Sequence, residues 1–557
     1  MNEIYSVNNI IMYAAMSVGI SFLLTFIALK FMHLAQLNNY DSERYYSAIT
    51  SRDKKYIKTL IVTSLLAFLV FGLFSAFFYV YKYNNEFIEL YGLIPFAAVV
   101  ALFFIADLRT KKKVRLKITN RVKRLIVTNF LLIFVFAAIF SVMLNTLSLL
   151  IKFDYFTPIK YAPLSFLIIF VPYILVMALD FNAPLEKSIS KSFIKRANER
   201  LEANPELIKI GITGSFGKTS VKNILAVILS EKYKVCASPK SYNTPMGLCR
   251  TVLENLKIDD DVLICEMGAK KVGDIKKLCE TVKPDYGVIT GVNNQHLETF
   301  LSIDNIKKTK FELAEGVSDK GIVVFSSDNA ISVELYRKCA KSKLIAGIND
   351  GGGNKPFVTA KDISMTNAGS EFLLIAEGVG QVKCNTILLG AHNISNILMS
   401  AALALKLGLT LENIAAGVSK IKQLPHRLEL VKGKNNVTVI DDSYNSNVNG
   451  IRAALDTLKL FEGRKIIVTP GLVELGNKEQ DYENFEAGRL LAKACDLVIL
   501  IGQTNTDKIK DGLAAEKYGS DKILMFNTLR EASGKFSGIF KEGDVVLFEN
   551  DLPDDYR

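Results

Sequence analysis

The sequence predicts an α-helical membrane region followed by α/β domains, and three observations carry that expectation. Half of the 557 residues are hydrophobic and mean hydropathy is +0.24, yet 22% are charged, as happens when an apolar part and a soluble part are averaged. Charge divides along the same line. Residues 1–183 hold 18 Lys and Arg against 9 Asp and Glu, whereas the rest hold 50 against 47. All seven cysteines lie after residue 235, irregularly spaced and without a CxxC pair, which points to a reducing cytosol and against a zinc site or a disulfide framework.

Five apolar stretches have about the length of a membrane-spanning helix: 9–32, 59–81, 87–106, 125–150 and 161–180. The first follows a segment without Lys or Arg, so it reads as a permanent span and not a cleaved leader. Basic residues number five in 33–58 and nine in 107–124, against none before the first span, one in 82–86 and two in 151–160. The positive-inside rule then puts the N-terminus outside the plasma membrane and everything after the fifth span in the cytoplasm. The basic excess thus reads as topology, and a nucleic-acid partner loses its main support. Transport is the weaker reading, because no ionisable group sits in the middle of the second, fourth or fifth span. An anchor, or a platform for a lipid-linked substrate or partner, fits better. The run Arg109 to Arg124 reads either as a headgroup-binding segment or as a topology signal alone.

Residues 184–207 carry apolar positions at helical spacing among many charges and predict an amphipathic connecting helix. From residue 208, apolar runs (IKIGIT, VLICEMG, YGVITGV, GIVVF) alternate with helical patterns, which predicts an α/β domain with a largely parallel sheet over 208–425. A second series (VTVIDD, KIIVTPG, LVILIG, KILMF, VVLFEN) predicts a doubly wound domain over 426–557. Gly351, Gly352 and Gly353 read as a surface turn.

The sharpest motif is Thr213-Gly214-Ser215-Phe216-Gly217-Lys218-Thr219-Ser220, between a strand and a helix. Glycines let the backbone turn its N–H groups toward phosphate oxygens, the helix N-terminus adds its dipole, Lys218 reaches the terminal phosphates of ATP, and Thr219 can ligate Mg2+. The motif departs from GxxxxGK[ST] in having Ile212 at the first glycine position. Glu266 ends a strand where a further Mg2+ ligand belongs, although a solvated strand-end acid is the plain alternative. His296, His392 and His426 each stand in a polar cluster near an element's end, and Asp441 and Asp442 follow the strand VTVI.

Together TGSFGKTS, the EMG at Glu266, NNQHLETF with Lys310 fourteen residues after His296, HNISN at 392–396, HRLE at 426–429 and DDSYNSN at 441–447 resemble the Mur ligases, in the family's order. Within the family the resemblance is greatest to the branch that adds D-alanyl-D-alanine to a UDP-muramoyl tripeptide. It implies a central P-loop ATPase domain, a C-terminal Rossmann-like domain, and ATP-dependent amide ligation through an acyl phosphate. It further implies that Lys218 and its loop hold the phosphates, that Thr219 and Glu266 hold one Mg2+, and that His296 and a carbamylated Lys310 hold a second. Asn393 and Asn396 match adenine-side positions, Arg427 and Asp442 match positions where the last domain reaches the nucleotide, and Asn243 matches a substrate-side loop.

Two departures bear on substrates. The family's soluble UDP-holding domain is replaced by the five apolar stretches, and the C-terminus VVLFENDLPDDYR lacks the branch's basic segment. The expected partners are therefore a small-molecule or lipid-linked carboxylate acceptor, an amino acid or dipeptide amine donor, the membrane, and other cell-wall synthesis proteins. A ligase building another envelope polyamide and a ligase-like scaffold without catalysis stay open as alternatives.

Overall fold

The computed structural model describes residues 7–52, 54–80, 88–109, 115–151, 161–240, 242–294, 297–433, 435–444, 447–473, 475, 477–502 and 505–551. The chain divides into two compact units, Met1–Lys191 and Ser192–Arg557.

The N-terminal unit is built on α1 (Val7–Leu37), α2 (Ser42–Arg52), α3 (Lys54–Val80), α4 (Leu93–Arg109), α5 (Asn120–Ile151) and α6 (Leu167–Glu202). Among the described residues, five helices are long and apolar enough to cross a membrane, at Ile10–Leu37, Ile57–Phe77, Leu90–Leu108, Asn120–Ser148 and Ala162–Glu202. Residues spaced a turn apart on α1, among them Met16, Ile20, Leu24 and Ile27, are fully buried and share a core with Ile133 and Ala137 of α5 and Ile168 and Leu175 of α6. Polar ties sit near the helix ends that carry the basic residues. Lys30 pairs with Asp107 at 3.5 Å, the Gln36 amide exchanges two hydrogen bonds with the Lys117 backbone, and Arg124 meets Glu186 at 2.7 Å. The apolar stretch at 161–180 and the charged segment that follows it, read separately from the sequence, share one helix: α6 carries Pro172 and Pro184 internally. A proline removes one donor and crowds the carbonyl a turn back, which marks a boundary only where packing does not hold the helix together.

In the second unit a nine-stranded sheet runs in the order β2-β3-β1-β4-β5-β6-β7-β8-β9. Its parallel part is β1 (Ile208–Thr213), β2 (Val235–Ala237), β3 (Val262–Glu266), β4 (Tyr286–Ile289), β5 (Val323–Ser326) and β6 (Lys343–Ala346), of which β1, β3, β4 and β5 correspond to the apolar runs of the sequence and the short β2 and β6 do not. The sheet is extended by β7 (Val358–Thr366), β8 (Gly369–Ala376) and β9 (Gly380–Thr386), of which β8 and β9 pair antiparallel to the strand before them. That meander escaped the reading for apolar runs because much of one face is open to solvent, so its strands alternate polar and apolar residues. Helices α7 (Lys218–Leu229), α8 (Pro245–Arg250), α9 (Asp274–Val282), α10 (Leu297–Phe300), α11 (Ile303–Gly316), α12 (Ala330–Lys338), α13 (Ala391–Lys406) and α14 (Leu411–Ser419) accompany this sheet. β1 lies between β3 and β4 and is central, so the chain leaving its C-terminal end emerges beside the end of β3.

A second, six-stranded sheet follows: β10 (Glu429–Lys432), β11 (Thr438–Asp442), β12 (Lys465–Thr469), β13 (Leu497–Ile501), β14 (Ile523–Phe526) and β15 (Val545–Glu549), in the order β10-β11-β15-β12-β13-β14. It is parallel except at β10, as the second series of apolar runs predicts. All seven cysteines are buried and free, which suits their expected role as small hydrophobes.

Arg464, just before β12, binds the buried Asp544, just before β15, through Nε at 3.1 Å and Nη2 at 2.6 Å. Burial opposes ionisation of Asp544, but the Arg464 bonds and the Lys541 N–H outweigh it and hold the carboxyl below its ordinary value. Arg464→Met leaves that carboxylate unpaired, and we expect a loss on the order of 3 kcal/mol, read as faster amide exchange in 465–469 and 545–549 of the full-length chain. A carboxyl depressed by folding stabilises above its unfolded pKa, so the effect is full at neutral pH and fades as pH falls through the folded value, below about 3.9. Unchanged exchange at neutral pH would show that the pair contributes nothing.

Candidate active site

The site begins where β1 ends. Thr213, the last residue of that strand, is buried and donates through Oγ1 to the Met267 carbonyl at 2.9 Å, tying the loop's base to β3. Gly214 has φ +155°, and a Cβ there would stand 1.9 Å from Thr290 Oγ1. Gly217 has φ +81° and forms the N-cap of α7 without a side-chain cap, while a Cβ on it would approach Asn396 Oδ1 to 3.1 Å. Larger residues are therefore disfavoured at both turns, and the first-turn N–H groups of α7 have no intrahelical acceptor. An uncapped helix N-terminus preceded by such a loop is a ready anion site.

Lys218 folds back over this loop, donating to the Gly214 carbonyl at 2.8 Å and the Ser215 carbonyl at 3.0 Å. Its enclosure pushes its pKa down to about 8, with Arg427 adding to the shift and Glu266 opposing it. Thr219 Oγ1 donates to Glu266 Oε2 at 2.9 Å, and Asn243 Nδ2 to Glu266 Oε1 at 3.2 Å. Ser220 is buried one residue further along α7. Ser215, Gly217, Lys218, Thr219, Asn243 and Glu266 share one cavity of about 190 Å³, so the structure gathers these sequence-selected residues in one place.

That cavity is completed by Phe216 and by three residues at the second sheet, Arg427, Tyr444 and Asn447. An adjoining cavity of about 310 Å³ runs behind α7, between Asn223 and Val227, Asn393 of α13, and the segment Lys420 to Leu424. Arg427 lines both cavities. Asn393 donates to the Leu389 carbonyl at 2.8 Å, and Asn396, a turn along α13, reaches the phosphate loop at Gly217.

The Arg427 guanidinium lies over the Tyr444 ring at 4.5 Å, and its neighbours His426 (φ +61°) and Leu428 (φ +49°) both have left-handed backbone. Two aspartates hold this strained turn. Asp441 Oδ2 stands 2.8 Å from His426 Nδ1, and Asp442 Oδ1 accepts the Leu428 N–H at 3.2 Å. Burial raises the Asp442 carboxyl to about 6 despite that bond and the charge of Arg427. Both aspartates belong to β11 itself and do not follow it. Among the described residues Asp442 lines neither cavity, and it acts on the site through the backbone that presents Arg427.

Lys310, on α11, is 3% exposed, with Nζ 5.6 Å from the centre of the Phe300 ring. Burial lowers its pKa to about 7, the Lys218 charge adds to that, and Asp274 and Glu312 oppose it. His296 lies outside the described residues. Sequence reasoning passes over Lys222 and the Lys420 to Leu424 segment, and it reads Tyr444 and Asn447 only as members of the DDSYNSN motif. Lys222 carries a sequence signal, a charge at a helix position otherwise buried, whereas the Lys420 to Leu424 segment has none because only the fold determines its approach.

Comparison with known proteins agrees with this arrangement. The Mur ligase middle domain matches residues 212–404, and the Mur ligase glutamate ligase domain matches residues 426–549. The UDP-N-acetylmuramoyl-tripeptide–D-alanyl-D-alanine ligase of Escherichia coli K12 is 30% identical over 321 residues, covering 58% of this chain and 70% of that enzyme. The Bacillus subtilis enzyme of the same name is 25% identical over 377 residues, covering 67% and 78%. Crystal structure I of MurF from Acinetobacter baumannii superposes with a TM-score of 0.58 at 26% identity, over 65% of this chain and 77% of that one. MurF from Thermotoga maritima in complex with ADP gives 0.57 at 26%, over 65% and 80%. With two family domains matched in order around a phosphate loop, a buried strand-end carboxylate and a shared arginine, this chain belongs to the Mur ligase family and is an ATP-dependent carboxylate–amine ligase.

Proposed function

We propose that the chain ligates a dipeptide such as D-alanyl-D-alanine to a peptidoglycan precursor at the cytoplasmic face of the membrane, through an acyl phosphate. One observation carries the nucleotide half of this reading: the cavity at Lys218, Thr219 and Glu266 adjoins a second one beside Asn393, and Arg427 lines both. The smaller suits the phosphates of ATP, and the larger its base and sugar. The names of the E. coli and B. subtilis relatives support the choice of substrates.

The acceptor's carboxylate attacks the γ-phosphate and ADP departs. The incoming amine then attacks the acyl carbon, and phosphate leaves as the amide forms. Charge builds on the transferring oxygens, where Lys218 and the α7 N-terminus act. Thr219 and Glu266 offer the hydroxyl and carboxylate oxygens that Mg2+ prefers, and their sharing of Oε2 suits a common metal. Bound Mg2+ neutralises part of the phosphate charge. Lys310 does not suit a metal as an ammonium, but a buried amine with a pKa of about 7 is largely neutral above that pH and able to add CO2, giving an anionic carbamate. The family resemblance assigns His296 to the same second metal. Asn243, hydrogen-bonded to Glu266, leads to the substrate side.

The five apolar helices precede the ligase domains where the family carries its UDP-holding domain, so we infer an acceptor presented at the membrane. Detergent-solubilised full-length protein, given ATP, Mg2+ and D-alanyl-D-alanine, should release ADP and yield a product heavier by the dipeptide with a muramoyl-tripeptide acceptor. The lipid-linked acceptor should exceed the UDP-linked one in kcat/KM. Turnover of neither acceptor would overturn the reading. Reporter fusions at residue 190 should report cytoplasm, and an external signal would reject the topology.

Lys218→Ala should lower kcat on the order of a thousandfold while melting behaviour is kept, because the half-buried side chain gives its hydrogen bonds to loop carbonyls and packs in no apolar core. A tenfold loss or less would sink the phosphate-loop assignment.

Activity should decline in CO2-depleted buffer and return with bicarbonate. Reloading should be faster above pH 7, where the Lys310 amine is neutral, than below it. Lys310→Ala should be nearly inactive, with partial rescue by small carboxylates. Full activity with an unmodified amine, read by mass spectrometry, would refute the carbamate.

A further inference from the structure

Lys222 lies one helical turn beyond Lys218 on α7 and is 2% exposed, an unusual place for an ammonium group. Its Nζ stands 3.3 Å from Glu266 Oε2, the same oxygen that accepts the Thr219 hydroxyl. It also donates to the Lys240 carbonyl. Lys240 has left-handed backbone (φ +47°) in the segment between β2 and α8. That segment is fastened to the end of β3 on both sides of Lys240. Ser238 Oγ accepts the Glu266 N–H at 3.1 Å, and Asn243 bonds the carboxylate through Nδ2 and the Gly268 N–H through its carbonyl.

A buried carboxylate needs a positive partner, and a buried lysine needs a negative one. Packing alone would be served as well by an apolar side chain of this length, so the charge requires its own account. We propose that Lys222 is a positioning residue, a resident cation that compensates Glu266 until Mg2+ arrives, then yields the carboxylate to the metal while keeping its bond to the Lys240 carbonyl. Metal occupancy is thereby coupled to the segment carrying Asn243. The inference rests on Glu266 being a metal ligand, as read above.

The test compares melting temperatures of full-length wild type, Lys222→Met and Glu266→Gln, each with ADP, in EDTA and in saturating Mg2+. Lys222→Met should melt lower than wild type in EDTA, and Mg2+ should raise it by on the order of 5 °C more than it raises wild type, because no ammonium has to be displaced. Glu266→Gln should lose most of the Mg2+ increment. The double variant should melt at or above Glu266→Gln alone, since it no longer buries an unpaired ammonium. Equal Mg2+ increments in Lys222→Met and wild type, with the increment lost in Glu266→Gln, overturn the role of Lys222 and leave the metal site standing. An unchanged increment in Glu266→Gln overturns the metal assignment and this inference with it. If Lys222→Met alone does not fold, the double variant decides: melting above Glu266→Gln supports the charge pairing, and melting below it overturns it.

Discussion

The rest of the ligase unit is arranged around one buried carboxylate. Glu266 ends β3, 2% exposed, and its oxygens are taken by Thr219 from the phosphate loop's helix, Lys222 from the next turn, and Asn243 from the segment after β2. An acid in such a place is tolerated only if it stays partnered, because the desolvation cost of a bare charge exceeds what packing returns. The partners come from two other parts of the chain, α7 and the segment after β2, so the carboxylate holds α7, β3 and the Ser238 to Asn243 segment in one geometry.

The same economy of contacts governs the approach of the second sheet. Arg427 reaches both cavities from a turn in which His426 and Leu428 have left-handed backbone, a conformation that costs non-glycine residues on the order of 1 kcal/mol or more each. Asp441 and Asp442 offset that strain by bonding the imidazole and the Leu428 N–H. The pair of aspartates thus bears on the site through the turn that carries Arg427. Its chemical consequence is where Arg427 points.

Positive charge is concentrated here to a degree that shapes the chemistry. Burial first, and then the charge of Arg427 on Lys218 and of Lys218 on Lys310, depress the two lysines, to about 8 and about 7. A site that disfavours its own cations in the absence of a polyanion gains from binding one, because phosphate restores the charge balance that burial upset.

Much of this was legible in the sequence. Apolar runs located the five long helices, the parallel strands β1, β3, β4 and β5, and the strands β11 to β15 of the second sheet, since each is an unbroken or nearly unbroken local pattern. The phosphate loop was equally legible, because its glycines, lysine and hydroxyls are consecutive and their chemistry needs only a strand before and a helix after. The antiparallel meander β7 to β9 was not, because half-exposed strands carry no continuous apolar signal. Nor were the pairing of Lys222 with Glu266, the turn that aims Arg427, and the depression of Lys310. Those depend on burial and on groups that the fold brings together, 44 residues apart for Lys222 and Glu266, and burial is a property of the packed chain that no local pattern encodes.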